Sequence, residues 1–351
     1  MIDVFLHLGT SPEDATICAN VLITSDLRGI ESHGIGRLRM YVDRINQGLI
    51  DPISQPHVVK DSKTSSVIDG CHGIGMVIAY HSMNMAINKA KEFGIGAVAV
   101  RNSTHFGIDG YYPLMAVLEG MIGVSFTNAR PSVAPTFSSQ PVLGTNPIAF
   151  GAPTDEDFPF LFDAATSIIQ RGKIEVLDRK GGQVDDGLII DSNGKYLNEP
   201  EEILNKLVKD EASLLPLGGN GDDFGGHKGY GLATIVEILS TSLQSGAFLF
   251  ALSGLDRGQD NRYRVGHFFM AIKIEDFLPL VEFKKNIGDL LRSLRASKKY
   301  PGHDRIYTAG EKEYEKQNEI KRTGVAINTK LNQDILYIKK LLKINSLPMI
   351  G

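Results

Sequence analysis

The sequence predicts an α/β protein with a helical opening, a sheet-bearing middle and a helical end. Three observations carry that prediction. Apolar residues recur at helical spacing through the first fifty positions, the period shortens to that of strands from Ser65, and helical stretches separate several of those strands. With 351 residues, 42% of them hydrophobic, the chain can bury a large core, and two domains are expected.

Ser11-Pro12-Glu13-Asp14 opens the first strong helix: a hydroxyl at the cap, a proline in the first turn, and acids facing the positive end of the dipole. Ala15, Ala19, Leu22 and Ile23 form its apolar face, which runs to a break before His33. A second helix, opened by Gly34 and ended by Gly48, turns Leu38, Tyr41 and Ile45 inward. Strands are expected at 66–69, 97–100, 121–126, 146–151 and 160–163, with a helix over 76–93 that Gly94 terminates. After Glu199 come a short helix, a glycine-rich loop, a long helix over 229–244 and a strand over 267–274. Residues 277–299 read as helix, and a last helix turns Ile335, Ile338, Leu341 and Leu342 inward. The expected division is a helical part over 1–60, an α/β domain over 61–245, and a C-terminal part over 246–351 that packs back on the N-terminal helices.

The net charge of -4 offers no electrostatic reason to bind nucleic acid or a membrane surface. The most apolar helical stretch, 232–243, is interrupted by Thr234, Glu237 and Ser240, so no membrane span is expected. No basic patch followed by an apolar run opens the chain. Cys18 and Cys71 make no disulfide framework, and a cytoplasmic location is the expectation. The histidines are scattered without zinc spacing, no metal is expected, and no Gly-x-Ser-x-Gly elbow is present.

Several segments combine chemistry-bearing residues with turn signals. In Arg28-Gly29-Ile30-Glu31-Ser32-His33-Gly34-Ile35-Gly36-Arg37, a histidine and an arginine four residues apart can meet at a helix start. An imidazole exchanges a proton near neutral pH and a guanidinium grips a carboxylate with two hydrogen bonds, the tools a 2-hydroxy acid requires. A capped helix with an exposed arginine is the plainer alternative. Gly73-Ile74-Gly75 imitates a dinucleotide fingerprint, but the next strand ends in Arg101-Asn102 where that motif wants an acid. His105 follows the strand at 97–100, where α/β proteins place reacting groups. Gly144-Thr145-Asn146-Pro147 reads equally as turn chemistry or substrate contact. Asp163-Ala164-Ala165-Thr166-Ser167 ends a strand in small, polar residues, either a ligand site or a helix cap. Gly225-Gly226-His227-Lys228-Gly229 sets a cation at the positive end of a helix, which a bound anion would compensate.

Taken in order, these motifs resemble the second-type malate/L-lactate dehydrogenase family, which is unrelated to the Rossmann-fold malate and lactate dehydrogenases. The matching segments are the run ending at Arg37, His105-Phe106-Gly107, Leu143 to Pro147, Phe162 to Ser167, Gly226 to Gly231, Gly266-His267-Phe268-Phe269 and Ala309-Gly310-Glu311. They span nearly the whole chain. The resemblance implies a non-Rossmann α/β fold, a mixed-sheet cofactor domain over 61–245 with a helical domain built from both chain ends. It also implies a homodimer or larger homo-oligomer and an NAD(P)-dependent oxidoreductase, NAD being favoured and NADP left open. By resemblance, His33 and Arg37 belong to the substrate site, and either His105 or His33 transfers the proton. Cofactor contacts would fall on Asn128, Ala129, Asp163, Ala164, Ala165, Lys228, Gly310, Glu311 and Lys312.

There are departures. Ala309 stands where the family usually has proline, Ala129 where a small polar contact is usual, and tryptophan is absent. The favoured substrate pair is malate and oxaloacetate, with lactate, ureidoglycolate, sulfolactate, a diketo-sugar acid or a cyclic imino acid as alternatives within the class. Outside it stand a phosphate-binding transferase using the 218–231 loop and a silent nucleotide-binding relative.

Overall fold

The computed structural model describes residues 1–253 and 262–344. The chain opens with α1 (Ile2–His7), α2 (Pro12–Leu27) and α3 (Leu38–Asn46). As the motif predicts, the Asp14 N–H donates to Ser11 Oγ at 3.1 Å and Pro12 occupies the first turn of α2. The break before α3 is tighter than expected, since Ile35–Arg37 forms a single 3-10 turn ahead of it.

The middle of the chain supplies β1 (His57–Asp61), β2 (Ser65–Asp69), α4 (Gly75–Phe93), β3 (Ile95–Ser103), α5 (Tyr111–Leu118), β4 (Met121–Thr127), β5 (Ile148–Ala152) and β6 (Phe160–Ala164). Then come α6 (Arg171–Lys180), β7 (Ile189–Asp191), α7 (Pro200–Val208), β8 (Ala212–Leu214), α8 (Gly226–Thr241), β9 (Val265–Lys273), α9 (Leu280–Ala296), α10 (Glu311–Thr323) and α11 (Thr329–Leu342). Each strand expected from the change of period is present within two residues of its expected start. The edge strand β1, the short α5, and α6, β7 and β8 have no counterpart among the expected elements.

Among the described residues, one mixed sheet runs in the order β1-β2-β3-β9-β4-β5-β6. β9 is antiparallel to both β3 and β4, so those two run the same way; β6, two antiparallel steps from β4, runs with them. Their carboxyl ends therefore open on one edge, the place where α/β sheets hold ligands. β9 lies beyond residue 245 yet occupies the sheet centre, so the sheet draws on more of the chain than the 61–245 stretch.

α4 covers one face, burying Ile78, Met83 and Ala86 against Val98, Val100 and Phe269. A second cluster joins Val4, Phe5, Leu22 and Tyr41 from the N-terminal helices to Ile338 of α11. A third holds β7, β8, α6 and α7 together around Ile174, Ile189, Ile203 and Leu214. Among the described residues, no helix is long and apolar enough to cross a membrane.

Candidate active site

The loop between α2 and α3 is cinched to the end of α2. The Ile35 N–H donates to Asp26 Oδ2 at 2.8 Å, and Ser25 Oγ donates to the Ile30 carbonyl at 2.7 Å. Any side chain at Gly34 would sit 1.8 Å from Asp26 Oδ1, so the close approach requires glycine. Arg37 Nε donates to the Ser32 carbonyl at 2.5 Å, which leaves its terminal nitrogens without a partner among the described residues. His33 and Arg37 are thus delivered together, as their spacing predicts.

His105 arrives from the other side, on the turn after β3. Its ring stacks on that of His33, with centroids 5.5 Å apart and planes 19° from parallel. Tyr41 Oη lies 2.6 Å from His105 Nδ1, and the Gly107 N–H donates to the same nitrogen at 3.3 Å. A fixed backbone donor makes Nδ1 an acceptor, so neutral His105 carries its hydrogen on Nε2. Gly107 holds φ at +84°, and a side chain there would strike Val21. His33 Nδ1 is 2.8 Å from Ser32 Oγ. Burial, with Arg37 adding to it, pushes the His33 pKa down to about 4. His105 is held well below its ordinary value by burial, reinforced by His33, Arg44 and Arg37. Beneath both, His267 is fully buried between Thr127 Oγ1 and Ser103 Oγ at 2.8 and 2.7 Å, so its motif serves packing.

These groups line a cleft of about 420 Å³, well within the range of small-molecule sites. His33, Arg37, His105, Asn128, Ala129, Asp163 and Ala165 all face it. So do Met40, Arg44, Arg130 and Tyr263, which sequence reasoning did not single out for the site. Asp163 accepts the Gly110 N–H at 2.8 Å; enclosure raises its pKa to about 6, against the pull of that N–H and of Arg28. Asp109 is 3% exposed, and burial with nearby Asp163 raises its pKa well above the usual carboxyl range. Its Oδ1 accepts from Ser125 Oγ, while Oδ2 has no hydrogen-bond partner among the described residues. Gly310 lines a smaller adjoining hollow that shares Ile30, Asp163 and Glu313 with the main cleft.

Four expected contacts lie elsewhere. Ala164 is engaged in the β5–β6 ladder opposite Ile148 and does not line the cleft. The Glu311 carboxylate is buried against Arg295, Arg305 and the Thr308 N–H, where it holds the turn before α10. Lys312 sets its ammonium over the Tyr307 ring at 4.7 Å. Lys228 is likewise outside the cleft lining, and a side chain at Gly226 would strike the Gly219 and Gly221 carbonyls, so the glycine loop folds closely on itself. Asn146 is scaffold: its Oδ1 accepts the Ala129 N–H at 3.1 Å while its Nδ2 donates to Glu237 Oε2 at 2.9 Å.

A family model described as malate/L-lactate dehydrogenase matches residues 1–336. The malate dehydrogenase of Pyrococcus horikoshii is 44% identical over 347 residues, covering 99% of this chain and 94% of that relative. The L-sulfolactate dehydrogenase of Methanocaldococcus jannaschii is 37% identical over 346 residues, covering 98% and 95%. The solved malate dehydrogenase of Entamoeba histolytica superposes with a TM-score of 0.96 at 45% identity, covering 99% of this chain and 96% of that one.

Proposed function

The chain belongs to the malate/L-lactate dehydrogenase family, and within it we propose that the chain interconverts malate and oxaloacetate with NAD as its nucleotide. It is a 2-hydroxyacid dehydrogenase, and the family implies a nicotinamide cofactor. One observation carries the substrate reading. Two imidazoles and the free fork of Arg37 converge in one cleft, where a carboxylate and the oxygen on its neighbouring carbon can be held at once.

Arg37 grips the 1-carboxylate. The Nε2–H of His105 steadies the C2 oxygen, and His33, with its Nδ1 turned to Ser32, takes the hydroxyl proton during oxidation. Both rings are neutral in the free protein because burial and the arginines oppose their charge. A bound acid offsets those cations and lifts the His33 pKa toward neutrality, the range in which it exchanges protons best.

The other end of the cleft suits the nucleotide. Small residues Ala129, Ala165 and Gly172 leave room, and the unpartnered Asp109 Oδ2 offers a buried polar atom. Asn128, Ala129, Asp163, Ala165 and Gly310 would hold the cofactor, which supplies the hydride acceptor when bound. In the adjoining hollow the two carboxylates Asp163 and Glu313 outnumber the one cation, Arg28, and favour a ribose hydroxyl over a phosphate at this end, which supports NAD over NADP. Along and after α8, Leu232, Ile235, Ile238, Leu243, Phe248 and Phe250 are exposed apolar residues that suit a second copy, in keeping with a homodimer. The free thiols Cys18 and Cys71 accord with a reducing cytoplasm.

The test is to mix the protein with NADH or NADPH and follow loss of reduced-nucleotide absorbance with oxaloacetate, pyruvate and other 2-oxo acids. Fastest turnover is expected with oxaloacetate and NADH. Turnover confined to another acid would move the substrate and keep the site. Tight NADH binding without turnover would refute the assignment.

A further inference from the structure

We propose that Arg44, with Arg130 beside it, forms a second anion subsite in the cleft, distinct from the Arg37 fork, so that the preferred 2-oxo acid carries a second negative group held there. The inference rests on the dehydrogenase reading above.

Arg37, Met40 and Arg44 are spaced i, i+3 and i+7, so one helical face presents a cation, an apolar side chain and a second cation to the cleft. The two arginines start about 10 Å apart along the axis, and an acid's carbon chain between them would lie on Met40. The Arg44 guanidinium sits over the Tyr263 ring at 4.5 Å, and the Tyr263 carbonyl is anchored 2.8 Å from His72 Nδ1. That stacking aims the fork without using its hydrogen atoms.

The decisive contrast is in charge pairing. Arg39, Arg101, Arg171, Arg292, Arg295 and Arg305 each have a carboxylate within 4 Å. Among the described residues, Arg37, Arg44 and Arg130 form no such ion pair; Arg28, Arg264 and Arg322 form none either, but only the first three are gathered in the lining of this cleft. Burial lowers the Arg44 pKa, and Arg130 and Arg37 lower it further, so the like charges are near enough to repel one another. Desolvated guanidiniums gathered without a counter-ion are unfavourable until an anion arrives. One carboxylate satisfies Arg37, and a second group of negative charge satisfies the Arg44–Arg130 pair.

The experiment compares kcat/KM for oxaloacetate and pyruvate, which differ in the second carboxylate, in the native protein and in Arg44→Gln, Arg44→Lys and Arg130→Gln. Calorimetric binding of succinate and butyrate, unreactive di- and monoanions, runs in parallel. In Arg44→Gln the oxaloacetate-to-pyruvate ratio is expected to fall about 100-fold, with a matching loss of succinate affinity relative to butyrate. Arg44→Lys should restore part of both, and Arg130→Gln should shift both the same way by about fivefold. Equal losses for both oxo acids, or succinate binding indifferent to Arg44, would overturn the subsite. Succinate bound through Arg44 by a protein that reduces no oxo acid would keep the subsite and sink the dehydrogenase reading. Brisk oxaloacetate turnover untouched by Arg44→Gln would do the reverse.

Discussion

The two walls of the cleft are built from different materials. One is helical: the loop after α2 and the face of α3 bring in long side chains, Arg37, Met40 and Arg44, with His33 at their head. The other is the carboxyl edge of the sheet, where β4 and β6 end in short residues and backbone, Asn128, Ala129, Asp163 and Ala165. Arg37 and Arg44 stand on the first wall, while Arg130 and Asp163 belong to the second. Long charged side chains on a helix can change identity without disturbing a ladder of backbone hydrogen bonds, so the helical wall can set which acid is taken. The strand ends are fixed by register, which suits them to a cofactor that does not vary.

The sharpest way to break this division is to remove one imidazole. His33→Asn is expected to lower kcat about 1,000-fold with NADH affinity within twofold of native, whereas His105→Asn should act mainly through the KM of the acid. Equal effects from the two would dissolve the distinction between proton carrier and oxygen clamp. In the native protein, the acid limb of kcat for malate oxidation should lie at higher pH than that of kcat/KM. The free enzyme needs His33 neutral, which holds down to about pH 4, while bound acid raises that value.

Arg37→Lys should raise the KM for the acid about 30-fold and leave the NADH dissociation constant alone, because a point charge cannot copy the fork. A parallel loss of nucleotide affinity would mean that the walls share their work. From the other side, Asp163→Asn should weaken NADH about tenfold with little change in the KM of the acid. The native protein should also lose NADH affinity as pH falls through about 6, where Asp163 takes up a proton, and the variant should not. Fluorescence titration of NADH across pH 5 to 8 reads both.

Much of this was legible in residue order. The His33–Arg37 spacing, the position of His105 after a buried strand, and the small polar run at Asp163 single out residues that the fold gathers along one cleft. Arg44 and Arg130 are not singled out, because nothing local marks an arginine as unpaired; that depends on which carboxylates the fold brings near. Tyr41 looked like core from its helical phase, and it is fully buried, yet its hydroxyl reaches His105. Asp109 sits in a Gly-flanked turn whose burial comes from strands distant in sequence. At Glu311 the motif and the fold give different information: the resemblance assigns the residue to the cofactor, and the structure shows its carboxylate engaged with Arg295, Arg305 and Thr308. Backbone approach at Gly310 is compatible with the motif; the acid beside it is the brace.

The position of β9 has a consequence for how the molecule comes into being. β3 ends at Ser103 and β4 at Thr127, but the strand that joins them begins at Val265. During synthesis both inner edges stay open while the intervening chain leaves the ribosome, a standing invitation to mispair with another nascent copy. Closure of so distant a contact makes a slow, late step in folding. Val265 lines the cleft and His267 braces Ser103 and Thr127 beneath it, so that same step completes the catalytic pocket. A half-made chain therefore has no partial activity to offer, and assembly and function arrive together.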